Sequence, residues 1–113
     1  MAKVFQFRSK YLNDQGVVVK TKYMDGQTAY QLLSVYNEPL ITATVNLSEY
    51  GMYPEDGNVF IPGYSQFEGL YEGVKELGIV GPAIRTIGIG FGTGVECPWL
   101  LSDEDMRVIE PGE

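Results

Sequence analysis

Few residues in this chain have the types or spacing for catalysis. Cys97 is the only cysteine and there is no histidine. A thiol nucleophile needs a neighbouring base or cation to make its thiolate. Cys97 instead sits between Glu96 and Pro98, where the carboxylate opposes ionisation. A buried structural cysteine is expected. Glu55 and Asp56 are adjacent acids that could share a proton or hold a hard cation. Acids directly before a glycine, here Gly57, more commonly form a turn, and the spacing of a calcium-binding loop is absent. Gly88, Gly90, Gly92 and Gly94 alternate along the chain. No register satisfies the dinucleotide pattern G-x-G-x-x-G, and the Gly-Lys-Ser/Thr of a phosphate-binding loop is missing. The expectation is a protein that is not an enzyme and uses no cofactor and no metal.

Charge is the stronger lead. The 113 residues carry a net charge of −7, spread unevenly. Residues 1–37 sum to +3 and residues 38–113 to −10. Binding phosphates requires a basic patch, so a direct nucleic-acid contact is not expected. A basic protein partner would be steered in electrostatically. The alternative is that the charge only keeps a small domain in solution. Met1-Ala-Lys-Val-Phe5 has no long apolar run of the signal-peptide kind, and no stretch approaches the roughly 18 apolar residues of a membrane span. A cytoplasmic location is expected, without a membrane contact.

A chain of this length forms one domain, residues 1–113. Val4–Arg8 alternates apolar and polar residues, and Val17–Tyr23 is β-branched. Asp25-Gly26 signals a hairpin of type I′. Thr28–Val35 and Leu40–Leu47 complete an antiparallel meander broken at Pro39. Residues 48–57 form the longest irregular stretch, holding Glu49, Tyr50, Tyr53, Glu55 and Asp56. Such a stretch is either a binding loop or a solvated connection whose tyrosines fold back onto the sheet. Ser65-Gln-Phe-Glu68 reads as a capping box, opening a helix over about 65–78 with Phe67, Leu70, Tyr71, Val74 and Leu77 on its buried stripe. Gly78 falls at a left-handed cap. Glu68, Glu72 and Glu76 would then form an acidic ridge opposite the stripe. Like charges at this spacing cost a helix roughly 0.2–0.5 kcal/mol per pair, so the ridge is either a contact surface or a solvated face of good helix formers. Residues 83–96 read as a long glycine-rich strand or hairpin. Taken as one strand, its glycines would share a bare face, with Ile87, Ile89, Phe91 and Thr93 on the other. Pro98-Trp99 should pack back on the sheet. Ser102–Ile109 reads as a possible short C-terminal helix, and Glu110–Glu113 as frayed. The fold expected is α+β: an antiparallel sheet of five or six strands with one amphipathic helix on one face.

Three segments carry a family resemblance: Ala43-Thr-Val-Asn-Leu-Ser-Glu-Tyr50, Asn58-Val-Phe-Ile61 and Tyr64-Ser-Gln-Phe-Glu-Gly-Leu-Tyr-Glu72. Leu77-Gly78-Ile-Val80, Arg85 and Gly90-Phe91 extend it. Over about residues 40–100 the chain resembles small domains of unknown function from conjugative elements and phages of gut and related bacteria. Some proteins like these are associated with inhibition of type II CRISPR nucleases. The resemblance implies a mobile-element protein in a bacterial host that blocks a defence by binding a protein partner, and it supplies no catalytic residues. The extended glycine run and the acidic C-terminal segment depart from the family pattern and leave the target open.

Three functions remain open on these residues. The first is an anti-defence inhibitor that meets a basic, nucleic-acid-binding protein through Glu49, Glu55, Asp56, Glu68, Glu72 and Glu76, with Tyr50 and Tyr53 as anchors. Reversing Glu68, Glu72 and Glu76 to lysine should then weaken binding without unfolding the chain. The second is a small-molecule or nucleotide sequestering protein, with Arg85 and the amides of Gly88, Gly90 and Gly92 as anion donors. The third is a structural homodimer pairing sheet edges.

Overall fold

A computed structural model describes residues 2–89 and 92–109. In chain order it forms β1 (Phe5–Arg8), β2 (Asn13–Lys22), β3 (Thr28–Ser34), β4 (Pro39–Thr42) and β5 (Asn58–Pro62). Then follow α1 (Leu70–Glu76), β6 (Arg85–Ile89), β7 (Gly92–Pro98) and β8 (Arg107–Val108). The fold is α+β, mostly antiparallel sheet with one α-helix, as the sequence predicts. The strands divide into two sheets, however. β1-β2-β3-β4 is the predicted meander, joined by β8, which runs parallel to β2. β5-β7-β6 is a separate antiparallel sheet.

The division follows from where the predicted fourth strand stops. The β4 ladder with β3 reaches Thr42 and one more bond joins the Ala43 amide to the Tyr30 carbonyl at 2.8 Å, after which the chain crosses over and the Val45 amide donates to the Phe60 carbonyl at 3.0 Å. One strand-like run thus serves two sheets. The core fills the space between them. Phe5, Phe7, Val18 and Leu32 from the first sheet meet Val59, Ile61 and Cys97 from the second, with Leu70 and Val74 of α1 between. Full burial of each such side chain contributes about 1.5–3 kcal/mol.

The 23–27 hairpin forms, but with a different turn. The Gly26 amide donates to the Tyr23 carbonyl at 3.0 Å, and only Gly26 takes positive φ, at 88°. A three-residue loop with a glycine bulge replaces the two-residue type I′ turn, which needs positive φ at both central positions.

The helix is shorter than residues 65–78, and the capping box is not made. Residues 65–67 form a 3-10 turn, Ser65 has φ 54° with no cap hydrogen bond, and Gly69 at φ 82° breaks the chain before α1 begins at Leu70. Gly69 and Gly73 lie against the backbone at the end of β1 and just beyond it, where a Cβ would meet the Lys10 amide or the Arg8 carbonyl. That close docking outweighs the local capping preference. The C-terminal end does follow prediction. Gly78 is left-handed, its amide donates to Lys75 and that of Ile79 donates to Val74, both at 3.0 Å, a Schellman cap. The predicted C-terminal helix is instead a 3-10 turn, Asp103–Asp105, running into β8. Glu110–Glu113 lie outside the described residues. Among the described residues, no helix is long and apolar enough to cross a membrane.

The glycine-rich segment is a hairpin, and this redistributes its glycines. Ile87 pairs with Gly94 and Gly88 with Thr93. Directly paired residues share a face, so Gly88 points opposite to Gly92 and Gly94, and no common bare face forms. A Cβ at Gly92 would strike the Tyr64 ring. Gly90 and Phe91 lie outside the described residues.

Candidate functional site

The register of the second sheet decides which sequence-predicted residues come together. Phe60, Glu96 and Arg85 pair across the three strands, as do Pro62, Gly94 and Ile87. These occupy one face, and Val59 and Cys97 the other. α1 packs on the Val59 face as part of the main core. The 48–57 loop covers the Phe60 face, where Leu47 closes over Phe60 and Ile87 with Val45 and Met52 packed alongside. Glu72 and Glu76 on α1 therefore lie across the sheet from Glu49, Glu55 and Asp56. Glu68 precedes the helix, out of register with Glu72 and Glu76, and pairs with Lys10 at 3.1 Å. The continuous ridge expected of these three acids is not formed.

Two carboxylates pin the loop at its ends. At the start, Asp25 accepts from Asn46 Nδ2 at 2.9 Å, Ser48 Oγ at 2.6 Å and the Gln27 amide at 3.1 Å. These donors, led by Asn46, hold its carboxyl below the usual range. At the end, Glu96 is wholly buried. Its Oε2 accepts from the Glu55 amide at 2.8 Å and Asn58 Nδ2 at 2.9 Å, and its Oε1 from Arg85 Nε at 2.7 Å. Burial alone would raise its pKa, but the donors from Asn58, Glu55 and Arg85 together outweigh this and keep it below the ordinary value.

Between these anchors the loop sorts its side chains. Leu47 and Met52 turn in, whereas Tyr50 and Tyr53 are 74% and 56% exposed. Gly51 at φ 70° reverses the chain between them. Tyr53, Glu55 and Asp56 also line a cleft of about 400 Å³ between the loop and the first sheet. Its other walls include Tyr23, Tyr30 and Trp99. Tyr30 and Trp99 stack at 3.7 Å between centroids, 12° from parallel. Lys20 and Asp103, paired at 3.0 Å, also border the cleft.

The residues of the anion-binding alternative are occupied differently. Arg85 is held by Glu96 and lies over the Phe60 ring at 5.9 Å from the centroid. Gly88 and Gly92 belong to the β6–β7 ladder. Cys97 is fully buried, and burial, helped by neighbouring Glu96, pushes its thiol up to about 12. It is therefore a packing residue, as expected. No group of three or more acids or cysteines among the described residues could hold a metal ion.

Sequence reasoning missed Glu96, Asp25 and the aromatic wall of Tyr23, Tyr30 and Trp99. The hairpin alternative for residues 83–96 allows Arg85 and Glu96 to face each other, and β6 and β7 do pair them, so that ion pair had a signal. Trp99 packs back on the first sheet as expected, but Tyr30 as its partner had no signal, because that choice depends on how the two sheets meet.

Compared with known proteins, the chain matches no family model, no curated protein and no solved structure.

Proposed function

We propose that this chain is a non-enzymatic binding protein that meets a basic protein partner through the 48–57 loop. One observation carries the reading. With Leu47 just before it and its own Met52 packed against Phe60 and Ile87, the loop leaves Tyr50 and Tyr53 exposed, among Glu49, Glu55 and Asp56. Pinning by Asp25 and Glu96 limits the ordering entropy such a loop would lose on binding. Tyrosines supply large contact area with few rotors and are favoured at interface hot spots. The surrounding acids select a basic surface and speed the encounter. The motif resemblance puts a nucleic-acid-binding host defence nuclease first among partners to try, with this chain as a mobile-element inhibitor in a bacterial cytoplasm.

The test is capture from a bacterial lysate by the tagged protein, at low and high salt, beside a variant carrying Tyr50→Ala and Tyr53→Ala. A basic protein retained at low salt by the wild type and lost from the variant supports the reading. Equal recovery by both baits removes it. The nucleotide-sequestering alternative has no comparable observation, since Arg85 is already engaged by Glu96.

A further inference from the structure

We infer that the cleft beside the loop receives an arginine side chain of the basic partner. This rests on the proposed function and specifies its chemistry. The cleft combines the two features a guanidinium needs, aromatic faces and unneutralised carboxylates. Tyr53, which is exposed, and the partly exposed Trp99, backed by the buried Tyr30 ring, supply the first. The charged lining residues are Lys20 against Glu55, Asp56 and Asp103, a negative balance. Asp103 is satisfied by Lys20, with Nζ to Oδ1 at 3.0 Å and to Oδ2 at 3.3 Å. Glu55 and Asp56 have no cationic partner among the described residues. The cleft thus already holds one side-chain cation at the Asp103 wall, while the acids of the loop wall remain unpaired. A nucleotide phosphate would face those two carboxylates and is disfavoured. Arginine fits better than lysine because its planar fork can stack on a ring while meeting a carboxylate with two donors.

Trp99 is the only tryptophan and lines the cleft, so its emission reports occupancy directly. The experiment titrates the intact chain with a short arginine-rich peptide, its lysine and glutamate counterparts, and ATP, following Trp99 fluorescence. The expected result is a saturable change with the arginine peptide, weaker with lysine and absent with glutamate and ATP. Affinity should fall about tenfold in a Glu55→Gln/Asp56→Asn variant and on raising salt. Both acids are exposed and Glu55 anchors through its backbone amide, so the variant keeps the fold. A silent Trp99 with the arginine peptide, unchanged affinity in the variant, or a response to ATP instead would each overturn the inference. If Trp99 stays silent while capture still depends on Tyr50 and Tyr53, the cleft inference fails and the loop reading stands. If capture itself ignores the tyrosines, the loop reading fails.

Discussion

Replacing Glu96 by glutamine should destabilise the domain far more than an ordinary surface change. The carboxylate is fully buried and receives three donors from two strands and the loop end. Glutamine keeps the shape but loses the charge and turns an amide N–H₂ toward at least one of these donors. A hydrogen bond to a charged group contributes about 1.5–3 kcal/mol and breaking a buried pair costs about 3–5. Arg85 is 51% exposed, so its share is screened by water, and Glu96→Gln is expected to cost roughly 2–4 kcal/mol. At roughly 4 °C per kcal/mol, this lowers Tm by about 8–16 °C. Arg85→Met leaves the Glu55 and Asn58 donors in place and removes one charged hydrogen bond, worth about 1.5–3 kcal/mol when dry and less at a half-exposed guanidinium, so it should cost only roughly 1–2 kcal/mol. The pH dependence has a definite sign. Because the folded Glu96 pKa is depressed, its stabilisation is complete above the unfolded value of about 4.3 and is lost as pH falls through the folded value. Thermal melts of wild type and Glu96→Gln should therefore differ by a constant gap from about pH 6 to 8, closing below about pH 4. A gap under about 1 °C at neutral pH, or one that persists on acidification, would refute Glu96 as an ionised anchor.

Three further outcomes are expected. Gly73→Ala should lower stability, although alanine is normally better than glycine in a helix by about 1 kcal/mol, because its Cβ would meet the Arg8 carbonyl; a raised Tm would contradict that close approach. Cys97 should resist a thiol reagent at pH 8 in the native state and react fully in guanidinium, given its burial and a thiol pushed up to about 12; rapid native labelling would show an accessible thiol. Asp25→Ala should speed hydrogen exchange of the Ser48 amide, which donates to Asn46 Oδ1, itself positioned by Asp25, while leaving exchange in β2 and β3 unchanged; uniform acceleration would mean global destabilisation instead.

What the sequence revealed and what it hid follow from range. The meander strands, the Gly78 cap and the buried stripe of Leu70 and Val74 were legible because each depends on neighbours a few residues away. The capping box at Ser65 was misleading, since docking of Gly69 and Gly73 on the end of β1 overrode a local preference. The shared glycine face required one continuous strand; of the two forms expected for residues 83–96 the hairpin is the one found, and pairing Gly88 with Thr93 and Ile87 with Gly94 turns Gly88 away from Gly92 and Gly94. The loop acids and tyrosines were visible as residue types, but their separation from Glu72 and Glu76 depends on which face of the second sheet each element covers. The cleft required two sheets to meet, which no local pattern encodes.

The most direct test of the loop as the contact surface is a binding isotherm of a captured partner against three forms of the chain. These are wild type, Tyr50→Ala/Tyr53→Ala, and Glu72→Lys/Glu76→Lys on the opposite face of the second sheet. Loss of two tyrosine anchors should weaken binding by at least about 2 kcal/mol, roughly 30-fold, while the helix variant binds as the wild type does. Full affinity in the tyrosine variant together with loss in the helix variant would place the contact on α1 and contradict the loop assignment.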